Sequence, residues 1–309
     1  MKIGIIGVGS VGGAIATYVH NTGIAREIVL IDSDPFRARG AAEDLGHAAT
    51  FGFDIDIHAG SYRDLRGAGI VIIAAGANQR AGETRLDLLS ANAAVIQDIV
   101  PQVMKVVDPK NVVLIIVTNP LDIMVMLATE ISGLPASRVI GTGTMLDSAR
   151  FKTLMARMLN VSPASVSSYV LGEHGDSSVL NWSAVTVGSL PLDNFCRQTG
   201  NEISARTRDT IDYRVRNAAY EILRGRGATW DGIGAAAADL VRAIVNDERR
   251  ILTVSSCMQK FLPKPVAISM PRIIGAAGVA ATLRPEMTDA EFHNLRKSAV
   301  IIRKNYEKI

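Results

Sequence analysis

The strongest constraint on the fold is the run Gly7-Val8-Gly9-Ser10-Val11-Gly12, set directly behind an apolar stretch at residues 2–6 and directly ahead of a helix-like stretch. Three glycines at that spacing allow a tight turn, close approach of a pyrophosphate to the backbone, and close packing of a helix on a strand. Strand, glycine turn and helix in that order predict the first unit of a parallel sheet. Asp32 falls about 20 residues past Gly12, at the end of the next predicted strand, where its carboxylate can accept hydrogen bonds from the adenosine ribose hydroxyls. The same charge repels a ribose phosphate, so these residues predict NAD rather than NADP. Gly7, Gly9, Val11, Gly12 and Asp32 are the candidate cofactor contacts. Arg37 and Arg39 stand nearby and read as a solvated helix face, with Arg37 retained as a further candidate contact. Flavins and nucleotide sugars bind similar fingerprints, so the rest of the chain must decide.

The alternation continues through the first half. Predicted strands at 2–6, 28–31, 54–59, 70–75 and 112–118 are separated by several amphipathic stretches, and a short sixth strand at 138–141 leads into Gly141-Thr142-Gly143-Thr144. Short apolar runs alternating with helices mean a parallel α/β sheet. Past that joint the pattern changes to predicted helices at 147–161, 201–224 and 229–247, interleaved with short strands at 166–172, 251–256 and 266–270. The expected organisation is a Rossmann-type parallel sheet domain over residues 1–142, followed by an α+β catalytic domain over 143–309. Thr288 and Glu291 form a capping-box pair at the start of a last helix, where Phe292, Leu295, Ala299 and Ile302 make one apolar stripe. That helix reads as packing rather than function.

Composition removes several function classes. The 33 basic and 30 acidic residues leave a net charge of +3 with no basic tract, which excludes a nucleic-acid backbone as partner. Lys2 followed by an uncharged run, with Ala14-Ile15-Ala16 inside it, imitates a secretory signal, but its glycines suit a nucleotide turn better than a signal helix. No apolar run reaches membrane-spanning length. The two cysteines, Cys196 and Cys257, make no disulfide framework and share no metal-ligand spacing with the five histidines. A cytoplasmic, metal-free chain is expected.

Chemistry enters with Asp147-Ser148-Ala149-Arg150 and Leu171-Gly172-Glu173-His174-Gly175-Asp176. On a helix, Asp147 and Arg150 share one face, so both can point into one cavity. Arg150 offers a planar fork matched to a carboxylate, Asp147 is the type of acid that orients a histidine, and His174 lies in a glycine-flanked stretch suited to a proton donor facing a substrate. Taken singly, these are a helical ion pair and a structural histidine. Following a nucleotide fingerprint, they predict a carboxylate clamp with a general acid.

Across nearly its whole length the chain resembles the NAD-dependent L-lactate and malate dehydrogenases. Gly76-Ala77-Asn78-Gln79-Arg80-Ala81-Gly82-Glu83-Thr84-Arg85-Leu86 is similar to that family's mobile substrate loop, and Thr118-Asn119-Pro120-Leu121-Asp122 to its cofactor and substrate turn. The resemblance implies that His174 exchanges the proton of the ketone oxygen, Asp147 orients its ring, Arg150 holds the substrate carboxylate, and Arg85 polarises the carbonyl. It also implies that Asn119 positions substrate and that Gly76, Ala77, Thr118 and Asn119 contact cofactor. A homo-oligomer, specifically a tetramer, is expected on the same ground.

Within the resemblance, substrate choice falls on Gln79, where the lactate branch has Gln and the malate branch Arg. Glu83 and Thr229 also match the lactate type, Thr229 narrowing the pocket. A neutral Gln79 does not offset the burial of a second carboxylate. The expected reaction is therefore the interconversion of pyruvate and L-lactate. Malate or a bulkier 2-hydroxy acid of the hydroxyisocaproate type is the alternative, and a non-catalytic nucleotide-binding protein is a further one. Lys152 and Ser167 occupy the places of the Arg and His that bind fructose bisphosphate in activated relatives, so little activation by that effector is expected.

Overall fold

The computed structural model describes residues 1–77 and 85–309, the side chains of Arg85 and Leu86 lying outside that description. Gln79, Arg80, Glu83 and Thr84, all named from sequence, are therefore outside the described residues. The first half runs β1 (Lys2–Ile6), α1 (Ser10–His20), β2 (Glu27–Ile31), α2 (Pro35–Ala49), β3 (Asp56–Ala59), β4 (Ile70–Ile73), α3 (Arg85–Met104), β5 (Val113–Ile116), α4 (Leu121–Ser132) and β6 (Val139–Gly141). These six strands are parallel and lie in the order β6-β5-β4-β1-β2-β3. The direction of winding reverses between β1 and β4, which opens a crevice at their carboxyl ends.

Why the strands read as unbroken apolar runs is clear from their two buried faces. Ile3, Ile5, Ile28, Leu30, Ile70, Ile72, Val113 and Ile115 pack towards α1, while Val29, Ile31, Val71, Ile73, Leu114 and Ile116 pack towards α3 and α4. Successive residues on a strand point to opposite faces, so a sheet covered on both sides needs apolar side chains at every position.

The second half runs α5 (Met145–Leu159), β7 (Val166–Ser167), β8 (Val170–Leu171), β9 (Val179–Leu180), β10 (Thr186–Val187), β11 (Leu190–Pro191), α6 (Leu192–Thr199), α7 (Ala205–Arg226), α8 (Asp231–Val245), β12 (Arg250–Met258), β13 (Val266–Gly275), β14 (Gly278–Thr282) and α9 (Asp289–Tyr306). Two expectations need correction. The strand read at 166–172 is two short strands serving different small sheets, β7 pairing with β10 and β8 with β9. The strand read at 266–270 continues through Pro271 to Gly275, pairs with β12 and with β14, and belongs to the main sheet through the antiparallel pairing of β12 with β6. Among the described residues that sheet thus has nine strands, and the two halves of the chain share it. Proline offers no N–H to a ladder and argues against a strand interior, which is why β13 is longer than its sequence suggests. Strands of two residues, such as β7 to β11, leave no readable periodicity.

The capping box at α9 forms as expected: Thr288 Oγ1 accepts the Glu291 N–H at 3.2 Å and Glu291 Oε2 accepts the Thr288 N–H at 2.8 Å. Leu295, Ala299 and Ile302 are buried, whereas Phe292 is 44% exposed and leaves the stripe. On the same buried face, Ser298 is fully enclosed.

Candidate active site

At the carboxyl end of β1 the chain turns through Gly7, whose φ of +87° is a left-handed conformation that suits glycine. A side-chain carbon at Gly12 would lie 1.8 Å from the Gly7 carbonyl oxygen, so α1 approaches the turn as closely as it does only because residue 12 is glycine, while one at Gly7 would lie 2.4 Å from the Ala75 backbone. Gly9, at the N-cap of α1, has nothing within 4 Å of where a side chain would begin and contributes no side-chain cap. The first N–H groups of α1 therefore face open space beside a glycine turn, the arrangement that accepts a pyrophosphate. Val11 lies in the first turn of that helix.

Asp32, just past β2, closes the same crevice. Its carboxylate accepts the Val8 N–H at 2.7 Å and the Asp34 N–H at 3.0 Å, and Arg37 Nη1 lies 3.1 Å away. Burial pushes the carboxyl group up, but the two backbone donors and the Arg37 guanidinium outweigh it and hold Asp32 below the usual carboxylate range. Both arginines lie on the solvated face, Arg39 over the Phe36 ring and Arg37 half-exposed while paired with Asp32.

Across the switch point, Gly76 and Ala77 follow β4, and Thr118 and Asn119 follow β5. Asn92 of α3 ties the two ends together. Its Oδ1 accepts the Ala77 N–H and its Nδ2 donates to the Asn119 carbonyl, both at 2.7 Å, while Thr118 Oγ1 donates to the Ala75 carbonyl at 2.6 Å. The Asn119–Pro120 peptide is cis.

The second cluster lies where α5 meets the segment after β8. Asp147 sits in the first turn of α5 and Arg150 one turn on, with Arg150 Nη1 2.8 Å from Asp147 Oδ1. The other carboxylate oxygen, Oδ2, is 2.7 Å from His174 Nδ1, across 27 residues of chain. Asp147 is almost wholly buried and the His174 side chain is 29% exposed, so the ring bridges interior and cavity. Burial works against charge on the imidazole, but the Asp147 carboxylate outweighs it and His174 is held above the ordinary histidine range. Asp147 is likewise disfavoured as an anion by burial, and His174 with Arg150 reverses this and lowers it. With Nδ1 occupied, Nε2 is the ring nitrogen available for proton exchange.

Side chains from three helices and the backbone of β13 grip the backbone that carries this histidine. Ser148 Oγ accepts the Val170 N–H at 2.9 Å, Thr144 Oγ1 donates to the Val170 carbonyl, Gly172 pairs with Ser269 of β13, Ser298 Oγ of α9 accepts the Glu173 N–H at 2.9 Å, and Asp122 Oδ2 of α4 accepts the His174 N–H at 2.8 Å. The last helix therefore reaches the site, contrary to its reading as packing alone.

Of the residues named from sequence, the structure joins Asp147, Arg150 and His174, and separately groups Gly7, Gly9, Gly12, Asp32 and Arg37. Arg85 opens α3, and its side chain is outside the description. Thr229, half-buried in the turn between α7 and α8, is not hydrogen-bonded to either group among the described residues. Missed were Asn92, Asp122, Ser148 and Ser298. Three of them carried a readable signal, a polar residue inside an apolar helical stripe: Asn92 between Leu89 and Ile96, Asp122 within Leu121-Asp122-Ile123-Met124, and Ser298 between Leu295 and Ile302. A buried polar side chain requires a partner, and here the partner is the site.

Residues 1–141 match the lactate/malate dehydrogenase NAD binding domain, and residues 144–309 match the alpha/beta C-terminal domain of the same family. The chain belongs to the lactate/malate dehydrogenase family. It is 48% identical over 308 residues to an L-lactate dehydrogenase of Thermus aquaticus, covering 98% of this chain and 97% of that one. With an L-lactate dehydrogenase of Allorhizobium ampelinum it shares 47% over 304 residues, again 98% and 97% of the two chains. The crystal structure of the minor L-lactate dehydrogenase of Enterococcus mundtii, in a ligands-bound form, superposes with a TM-score of 0.95 at 36% identity, over all of this chain and 98% of that one.

NAD is the cofactor of this family's N-terminal domain, and the crevice fits it: open backbone donors at α1, no side chain at Gly9, and an ionised Asp32 at the neighbouring strand end. Among the described residues one group of metal-ligand type, Glu27, Asp56 and His58, lies at the opposite strand ends, where Lys2 Nζ already sits 2.8 Å from Glu27. No described helix is long and apolar enough to cross a membrane.

Proposed function

We propose that this enzyme interconverts pyruvate and L-lactate with NADH and NAD. The observation that carries the reading is the continuous Arg150–Asp147–His174 chain, a carboxylate fork and an imidazole held above the ordinary histidine range, joined through one buried aspartate. Bound as NADH, the nicotinamide supplies the hydride. His174 Nε2 donates a proton to the ketone oxygen in reduction and removes it from the alcohol in oxidation, while Asp147 keeps Nδ1 protonated and the ring oriented. Arg150 holds the substrate carboxylate with the N–H groups that Asp147 leaves open. Arg85 polarises the carbonyl and Asn119 positions the substrate. Gln79 faces the methyl end, where a second carboxylate would be buried unpaired, and Thr229 narrows that end. On the cofactor, Gly7, Gly9, Val11 and Gly12 receive the pyrophosphate, Asp32 with Arg37 the adenosine ribose, and Gly76, Ala77, Thr118 and Asn119 the remainder.

We further assign residues 1–142 to a cofactor domain and 143–309 to a substrate domain, with the shared sheet as their junction. Self-association, as a tetramer, is supported by exposed Phe36 on α2 and by Tyr213, Ile222 and Leu223 on α7, which a second copy would cover. The two free cysteines suit a reducing cytoplasm.

The test is NADH consumption with pyruvate, oxaloacetate and branched 2-oxo acids, repeated with NADPH and with fructose bisphosphate. The expected result is the highest kcat/KM for pyruvate with NADH, at least about tenfold above NADPH, and little response to the sugar phosphate. A preference for oxaloacetate would move the enzyme to the malate branch. No turnover with any 2-oxo acid would leave a nucleotide-binding protein without catalysis.

A further inference from the structure

Asp122 is a buried carboxylate in an apolar helix, and its charge has no role in what is described above beyond accepting the His174 N–H. It lies in the first turn of α4, is 2% exposed, and is hydrogen-bonded on both oxygens: Oδ2 accepts the His174 N–H at 2.8 Å across 52 residues, and Oδ1 accepts the Ser255 hydroxyl at 2.6 Å across 133. The preceding turn holds Asn119, so one short segment reaches both the crevice and the histidine. We propose that Asp122 is a second carboxylate of the acid–base site, a positioning residue that fixes His174 through its backbone and sets a second negative charge beside the one on Asp147. The inference rests on the proposed role of His174 as proton donor.

Geometry and charge balance support it. Burying a carboxylate is costly, and a neutral acceptor such as Ser298 Oγ satisfies the neighbouring Glu173 N–H without that cost. A charge at this position is therefore explained by what it does to its surroundings. The His174 ring is faced by Asp147 and Arg150 from α5, by Asp122 from α4, and carries Glu173 on its own segment. Arg150 opposes the charged imidazole while both aspartates favour it. Asp122 itself is faced by His174 and Glu173, by Ser255 and Cys257 of β12, and by Arg272 of β13. Arg272 is spent on backbone, donating to the Ile268 carbonyl at 2.9 Å and the Ser256 carbonyl at 3.0 Å, and acts on Asp122 only through space. Burial raises Asp122 to about 6, against the Ser255 and His174 donors that lower it, so it is ionised at neutral pH.

The sign of the effect follows. Pyruvate reduction requires protonated His174 and fails as pH rises through its titration, whereas lactate oxidation requires the neutral ring and appears over the same range. Removing the Asp122 charge moves both midpoints to lower pH. Asp122→Asn keeps an oxygen for the His174 N–H and removes only the charge, so a downward shift of about half a unit or more is expected in both kcat/KM profiles. Asp122→Ala removes the acceptor as well, and kcat should fall about tenfold further with a smaller change in pyruvate KM, because Arg150 still holds the carboxylate. The pH dependence of diethyl pyrocarbonate modification at His174, read by mass spectrometry, gives the same midpoint without turnover. Should Asp122→Asn not fold, Ser255→Ala keeps the carboxylate but removes one donor, which raises Asp122 further and weakens its charge, so the midpoint of pyruvate reduction should move to lower pH in the same direction and by less. Midpoints that stay in place by both readouts, in Asp122→Asn or, where that variant does not fold, in Ser255→Ala, overturn the proposal. A wild type inactive on pyruvate would overturn the functional reading instead, and the labelling midpoint would still decide on Asp122.

Discussion

The cofactor crevice and the acid–base cluster are built in opposite ways. In the crevice the working groups are backbone: a glycine at φ +87°, a helix start without a side-chain cap, and the Val8 and Asp34 N–H groups that fix Asp32. Most of it comes from one stretch of chain between residues 7 and 37. In the cluster the working groups are side chains brought from 27, 52 and 125 residues away. A backbone site is damaged by adding atoms. A side-chain site is damaged by removing them.

That contrast can be broken by three substitutions. The largest effect is expected from His174→Ala, which removes the proposed proton donor and leaves the crevice alone: turnover should fall roughly a hundredfold or more with NADH affinity near normal by calorimetry. Equal losses in turnover and NADH affinity would mean that the two regions are not separable. Gly12→Ala is the opposite operation. Its new methyl group would meet the Gly7 carbonyl oxygen at 1.8 Å, so NADH affinity should drop about tenfold or more as turn and helix part, while the pH midpoint of pyruvate reduction stays in place. A shifted midpoint would couple the crevice to His174. The smallest effect is expected from Ser298→Ala, which removes one of several grips on the histidine segment. The Glu173 N–H loses its acceptor and Ser177 loses its 2.9 Å contact, which should cost about 1 kcal/mol and lower Tm by about 1–2 °C. A large loss of turnover there would show that α9 holds the histidine more tightly than a single bond implies.

Legibility followed the same division. The six parallel strands, the glycine turn and Asp32 were readable because each is a local pattern: a short unbroken apolar run, a turn composition, a fixed offset. The Asp147–Arg150 pair was readable because helical spacing puts it on one face. Arg37 was half readable, since its place on the first turns of α2 was clear but its pairing with Asp32 depended on where β2 ends. Asp122 and Ser298 looked like interruptions of apolar stripes, and only contact with the 170–174 segment gives them a purpose. The long β13 was hidden by Pro271, whose missing N–H is tolerated once β12 and β14 pair around it.

By itself, the sequence determined a doubly covered parallel sheet, a nucleotide turn at its first strand, and the placing of Asp147 and Arg150 on one helix face, because these depend on side-chain period and on backbone freedom that only glycine has. The tertiary structure decided what surrounds the acid: which carboxylates face His174, which hydroxyls grip its backbone, and that both halves of the chain share one sheet. Such contacts join residues more than a hundred positions apart, as Ser255 does with Asp122, and no local pattern encodes them. They are selected by packing, because a polar group enclosed in the core must find its partner wherever the fold brings one.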